Sequence, residues 1–339
     1  MIGRAISGRV AAWSALLGAL GLLAACAAGG PLPDGTAAEG TVPAGDAPAP
    51  REVALTLPAA DGARLPTARW RPSGAPRAVI LALHGYGDYG ASTYSSAAES
   101  WAAGGIVTYA PDQRGFGRGE TRGRWPGAEG LAEDAVAMSA FLRGRHPTLP
   151  LIVVGHSMGG GVALAAADPG RADGGLRADG LVLAAPAIWG GRKLNPFHRL
   201  AAWLAATVAP EKRFTGEGVV RIQASDNIEA LRALSRDPYY LGRPSARELF
   251  GLVRVTDAAA GAAERVRLPT MLLLGAKDQI VPEARTAAVF ERLPGGRGTI
   301  RYPDGWHLLF RDLNAVAVWR DVAGFAQAIA LERRAGAGS

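Results

Sequence analysis

"VVGHSMGGGVAL", residues 153–164, is a run of β-branched residues that stops at a glycine and resumes as a small-residue helix, with Ser157 at the bend. Four further runs have the same continuous apolar character: "AVILALHG" (78–85), "GIVTYAPD" (105–112), "LVLAAPAI" (181–188) and "TMLLLGAKD" (270–278). Continuous rather than alternating hydrophobicity marks strands buried on both faces, hence a parallel sheet with helices on either side. Between the runs lie stretches of helical length, Ser95 to Ala103 and Leu131 to Arg143, the second with apolar residues at helical spacing. The βαβα alternation predicts an α/β fold with a doubly wound, mostly parallel sheet. In such sheets sites form at the carboxyl ends of the strands. "EVALTLPAADGARLPTARWRP", residues 52–72, reads instead as an antiparallel hairpin around the Asp61-Gly62 turn.

The bend itself spells G-x-S-x-G from Gly155 to Gly159, after a strand and at the opening of a helix. That context makes the pattern a nucleophile elbow, whose flanking glycines relieve a strained serine backbone. A serine hydroxyl is a weak nucleophile until a base takes its proton, so a histidine and an acid should follow in the order Ser, Asp, His. The chain has five histidines. His84 lies upstream, His146 precedes a proline at a helix-to-strand turn, His156 sits inside the elbow and His198 falls in a long insert. His307, in "YPDGWHLLF" after the last strand, remains as the base. Asp278, at the end of "TMLLLGAKD", is the expected acid; Asp304, in the turn leading to His307, is the alternative.

The first 50 residues read as an address. Arg4 and Arg9 precede an apolar run, Val10 to Ala25, with the layout of a secretory signal. It is short for a membrane span, and a signal anchor that is never cleaved is the competing reading. Leu23-Ala24-Ala25-Cys26 resembles the bacterial lipobox, which implies lipidation of Cys26, the single cysteine of the chain. Residues 1–25 would then be a lipoprotein signal peptide and 26–50, rich in Ala, Pro and Gly, a tether too poor in apolar surface to fold. The expected location is the bacterial cell envelope, lipid-anchored on the periplasmic side of the outer membrane. The net charge of +7 comes from arginines scattered without a basic block. This argues against a nucleic-acid partner and is compatible with a solvated surface or an anionic membrane.

From about Arg51 to residue 335 the chain resembles the α/β-hydrolase superfamily, and within it the monoacylglycerol lipase and lysophospholipase-like group, also called serine aminopeptidase-like hydrolases. The resemblance rests on "HGYGDYG" (84–90), "PDQRGFGRG" (111–119), "GHSMGG" (155–160), "GAKDQIV" (275–281) and "DGWHLLFRD" (304–312), in the expected order. It implies an oxyanion hole formed by the backbone N–H groups of Tyr86 and Met158, and turn-stabilising roles for Asp112 and Arg114. The interval of about 190–267 is too long for a simple crossover, and the resemblance makes it a helical cap over the nucleophile. Its segment 195–214 carries an apolar stripe of Leu200, Trp203 and Leu204 near Arg199, Lys212 and Arg213. The stripe reads either as packing on its own domain or as a membrane-facing entrance for acyl chains. Residues 225–242 read as a helix led by Ser225 or Asp226, with Tyr239 and Tyr240 placed to line an acyl pocket.

The expected activity is hydrolysis of carboxylic esters, monoacylglycerol- or lysophospholipid-like, through an acyl-enzyme that requires no metal or organic cofactor. Two readings compete with it. An aminopeptidase on the same fold would need an acidic cluster for the substrate amine, and Glu211, Glu217, Asp226 and Glu229 do not read as one. A non-catalytic lipid-binding lipoprotein would be expected to have lost a triad residue, and none is missing. Serine at 157 excludes an aspartate-nucleophile dehalogenase.

Overall fold

A computed structural model describes residues 53–190, 196–214 and 222–337. The signal peptide, the tether, Cys26 and Glu217 lie outside the described residues. The hairpin strands β1 (Val53–Pro58) and β2 (Arg64–Trp70) pair antiparallel, Leu57 facing Leu65. Their turn is held by the Asp61 carboxylate, which accepts the Ala63 N–H at 3.1 Å, with Gly62 at φ 84°. Then follow β3 (Ala78–Leu83), α1 (Gly90–Ala103), β4 (Ile106–Pro111), α2 (Gly127–Arg145), β5 (Leu151–His156), α3 (Met158–Ala166) and β6 (Gly180–Ala184). After the insert come β7 (Thr270–Gly275), α7 (Glu283–Phe290), β8 (Gly296–Tyr302) and α8 (Ala315–Ala337).

The eight strands form one sheet in the order β1-β2-β4-β3-β5-β6-β7-β8. From β4 to β8 every pairing is parallel, and β2 joins that block antiparallel along β4. The doubly wound, mostly parallel expectation holds. Both faces of the central strands are buried, as continuous apolar runs require. Val79, Leu81, Leu83, Val153 and Leu183 enter one core with α2 and α3, while Ile80, Ala82, Ile152, Val154 and Val182 enter a second with α1 and α8. Each of the Val, Leu and Ile side chains contributes ~1.5–3 kcal/mol on burial, so a charge on either face of β3 or β5 would open a core.

Helix boundaries differ from the sequence expectation in one direction: α1 and α2 start earlier than Ser95 and Leu131. Their first turns carry Gly90, Gly127 and Gly130, which read as loop. Gly90 is needed because the β4 backbone passes so close that a Cβ would collide with the Ala110 carbonyl.

Between β6 and β7 the chain forms α4 (Pro196–Val208), α5 (Ile228–Arg236) and α6 (Ala246–Ala262). The last packs into the body, with Leu252, Val255 and Ala259 in the same core as Val162 and Ala163 of α3. A reciprocal capping box starts it, Ser245 Oγ accepting the Glu248 N–H and Glu248 accepting the Ser245 N–H. Among the described residues no helix is long and apolar enough to cross a membrane.

Candidate active site

β5 ends at His156 and α3 begins at Met158, so Ser157 alone makes the turn. Its φ of 53° and ψ of −118° lie where a residue with a side chain is strained by about 1–3 kcal/mol. The surroundings over-determine that conformation. Three N–H groups, of Ala187, Gly160 and Gly161, converge on the Ser157 carbonyl at 2.9, 3.0 and 3.2 Å, while the Ser157 N–H donates to Ala184. A Cβ on Gly155 would strike the Gly159 carbonyl, and one on Gly159 would strike the carbonyls of Leu83 and His84. The glycines of the motif are there because backbone crosses backbone at this point.

His307, in the loop after β8, places Nε2 3.0 Å from Ser157 Oγ and Nδ1 2.9 Å from Asp278 Oδ2. All three side chains are buried or nearly so. Asp278 follows β7, and its second oxygen accepts the N–H groups of Ile280 at 2.7 Å and Val281 at 3.0 Å. Burial pushes its carboxyl up, but the adjacent His307 and those two donors outweigh burial and hold it below the ordinary carboxylate value. A charged Asp278 fixes the proton of His307 on Nδ1 and leaves Nε2 as an acceptor for the serine hydroxyl. The arrangement can pull a proton from Ser157 and return it to a leaving group.

Asp304 is exposed and bonded to Lys277 Nζ at 2.7 Å. The structure therefore brings Asp278, not Asp304, to His307. His156 turns away from Ser157 and donates from Nε2 to the His307 carbonyl at 2.8 Å. Burial, with His307 nearby, lowers its pKa to about 3, so it stays neutral and acts as a fixed strut. His84 is buried too, donating to Gly85 O at 2.7 Å and accepting the Gln113 N–H at 2.9 Å.

The loop after β3 covers the nucleophile. A Cβ on Gly85 would lie 3.3 Å from Ser157 Cβ, and the next N–H, that of Tyr86, makes no backbone hydrogen bond among the described residues. The Tyr86 ring is buried edge-on against Phe116 at 5.3 Å. Asp112 accepts the N–H groups of Gly90 and Arg118, and Arg114 bridges Asp61 to Asp134, as turn-stabilising residues should.

Two features of the insert depart from expectation. The N-cap of α5 is Asn227, which accepts the Ala230 N–H at 3.1 Å. Ser225 and Asp226 are taken instead by the loop after His307: the Ser225 hydroxyl donates to Asp312 at 2.6 Å and Asp226 accepts the Leu313 N–H at 2.9 Å. Tyr239 is exposed and edge-on to Tyr89 at 5.9 Å rather than in a pocket, because Asp237 and Pro238 pin the turn to Tyr89 and Arg122. Tyr240 lies against Gly87 of the loop over the nucleophile. The stripe on α4 is exposed, with Phe197, Leu200, Trp203, Leu204 and Val208 in solvent and Ala202 buried. A cavity of about 1050 Å³ beside it is lined by Trp125, Trp189, Arg199, Trp203 and Arg254 and by none of the three relay residues. Of the four acids, Glu211 pairs with Arg247 and Glu229 with Arg232, so these two and Asp226 form no cluster.

Comparison with known proteins agrees with this fold. A family described as serine aminopeptidase, S33, matches residues 74–314. A monoacylglycerol lipase of Mycolicibacterium smegmatis is 30% identical over 275 residues, covering 78% of this chain and 93% of that protein. Human monoglyceride lipase is 26% identical, covering 76% and 84%. The crystal structure of a Paleococcus ferrophilus monoacylglycerol lipase superposes with a TM-score of 0.63 at 20% identity, covering 78% of this chain and 99% of that one.

Proposed function

Because the chain belongs to the serine aminopeptidase, S33 family of α/β-hydrolases, we propose that it is a serine hydrolase of lipid carboxylic esters, of the monoacylglycerol or lysophospholipid kind. The observation that carries this reading is the unbroken relay from Asp278 through His307 to Ser157, at 2.9 and 3.0 Å, around a serine at φ 53°.

Ser157 Oγ attacks the ester carbonyl while His307 Nε2 takes its proton. The N–H groups of Tyr86 and Met158 receive the charge that develops on the carbonyl oxygen. His307 then protonates the leaving alcohol, and water repeats the sequence on the acyl-enzyme to release the fatty acid. Asp278 keeps the imidazole in the reactive tautomer and stabilises it when charged.

The lipid substrate class is supported by the similarity to monoacylglycerol lipases and by the exposed apolar face of α4, suited to meeting a lipid surface. Lipidation of Cys26 and the tether that runs from it to residue 50 would hold the enzyme at the envelope membrane, within reach of such substrates.

The test compares wild type and Ser157→Ala on p-nitrophenyl esters of increasing chain length, a monoacylglycerol, lysophosphatidylcholine and an aminoacyl-nitroanilide. Turnover of the lipid esters by wild type alone is the expected result. Cleavage of the anilide alone would replace the lipase reading by a peptidase. No turnover, with no labelling of Ser157 by a fluorophosphonate, would leave a lipid-binding protein. Incorporation of labelled palmitate that disappears in Cys26→Ser tests the anchor.

A further inference from the structure

The loop over the nucleophile carries a buried carboxylate that the reaction does not use. Asp88 lies two residues after Tyr86, is 4% exposed, and accepts the Tyr89 N–H at 2.9 Å. Its partner is the Arg311 guanidinium, which comes from the opposite side of the site, four residues after His307. Arg311 Nη2 bonds Asp88 Oδ2 and also reaches the hydroxyls of Thr93 at 3.2 Å and Ser92 at 3.3 Å on the first turn of α1. The Arg311 carbonyl in turn accepts the Asn227 side-chain N–H at 2.8 Å. The two loops that flank Ser157, one bearing Tyr86 and the other His307, are thus tied by a single ion pair across 223 positions of sequence.

The remaining restraints on the Tyr86 loop leave that pair a specific task. His84 is fixed to Gln113 at the start of the loop, and Gly87 O accepts the Leu241 N–H at 2.8 Å in the middle. Inside the loop the turn from Gly85 to Asp88 is closed by a long bond of 3.4 Å. Beyond the turn the Tyr89 hydroxyl donates to Asp237 at 2.7 Å and the Gly90 N–H to Asp112 at 3.1 Å, and Asp88 is the point at which the turn itself is tied to the loop bearing His307. Burial alone would push the Asp88 carboxyl up; the Arg311 guanidinium and the Tyr89 and Ser92 donors outweigh it and keep it charged.

We propose that Arg311 is a positioning residue for acyl transfer: through Asp88 it sets where the Tyr86 N–H stands over Ser157, in fixed relation to the loop that carries His307. It touches no reacting atom. The inference rests on the ester-hydrolase reading above. An oxyanion donor acts on the transition state and little on the bound substrate, so its displacement lowers kcat and spares KM.

The experiment measures kcat, KM, the pH profile and inhibition by an alkyl trifluoromethyl ketone, whose serine adduct places an oxyanion in the hole, for the full chain and three variants. Arg311→Lys keeps a cation but not the fork that spans Asp88, Ser92 and Thr93. Arg311→Ala strands a buried carboxylate and is expected to lose stability. The double variant Asp88→Asn/Arg311→Met removes both charges, so it keeps the test open should Arg311→Ala fail to fold.

On p-nitrophenyl butyrate, kcat should fall on the order of 10-fold in Arg311→Lys and 10- to 100-fold in the double variant, a fraction of the 10²–10³ lost with a whole donor. KM should stay within about twofold, ketone affinity should fall by the same factor as kcat, and the pH profile should not move. A folded double variant with wild-type kcat overturns the proposal. So does a loss of kcat that leaves ketone affinity intact and shifts the pH profile, which would place the effect on His307. A wild type that neither turns over esters nor is labelled by fluorophosphonate overturns the ester-hydrolase reading and this one with it.

Discussion

The sheet body and the first two helices of the insert obey different rules. In β3 and β5 every residue is buried, and α3 is buried along its whole length. In α4 only Ala202 is buried, and in α5 no residue is. The body is held by apolar contact on two faces. The segments flanking α5 are held by directional bonds that fall on the loops around the site, Ser225 and Asp226 on the loop after His307, Asp237 and Leu241 on the loop after β3, whereas α6 shares the apolar core of the body. Chemistry is thereby placed in the part of the molecule that cannot give way. The exposed apolar face of α4 lies in the part held at fewer points.

The largest expected effect sits at the body's centre. Ser157→Ala should lower kcat by about 10⁴-fold or more with little change in Tm, since among the described residues the hydroxyl bonds only His307. A residual rate near wild type would remove the relay from the mechanism and the contrast with it. Next, Gly159→Ala should cost at least about 1–3 kcal/mol through overpacking, because its methyl meets the carbonyls of Leu83 and His84. Thermal unfolding followed by circular dichroism checks this, and a wild-type Tm would mean that the elbow is softer than its contacts indicate.

The seam between the two regions should respond to pH. Burial raises the Asp312 carboxyl from 3.8 to about 6. The folded chain therefore holds that proton where the unfolded chain has lost it, so the stability this gives is present at low pH and is lost as pH rises through 6. Asp312→Asn lacks that loss. Its Tm relative to wild type should improve between pH 5 and pH 8, and a pH-independent difference would mean that Asp312 titrates normally. The smallest effect belongs to α4: Leu204→Ser should change stability by less than about 0.5 kcal/mol while lowering activity on long-chain esters dispersed as vesicles more than on soluble short-chain ones. Equal loss on both would make the α4 face structural.

The same contrast explains what could be read from the sequence. Strands β3 to β7 were legible because burial on both faces leaves a continuous apolar run, and the hairpin because Asp61-Gly62 interrupts an alternating one. Ser157, Asp278 and His307 were legible because each ends or follows a strand in a fixed order. Chain order already preferred Asp278 to Asp304, and the structure adds the reason that Asp304 is bonded to Lys277. The N-cap of α5 was misplaced because Ser225 and Asp226 have the right chemistry for a cap but are claimed by residues 87 positions away. Asp88 and Arg311 each lie inside a quoted motif, 84–90 and 304–312, but neither stretch shows that the two pair. A pair separated by 223 residues leaves no period or spacing to find.

The exposed apolar face of α4 also governs how the molecule behaves in a stirred aqueous sample. Phe197, 79% exposed, and Val208, 80% exposed, bracket Leu200, Trp203 and Leu204 on one 13-residue helix. Free energy falls, and the water gains entropy, when such a strip leaves it, and an air bubble, an oil droplet or a plastic wall offers the exit. The protein should therefore collect at boundaries between phases. Its apparent rate will then follow the area of interface in the tube, and a dilute stock stirred without surfactant will lose activity to the vessel before it loses any to unfolding.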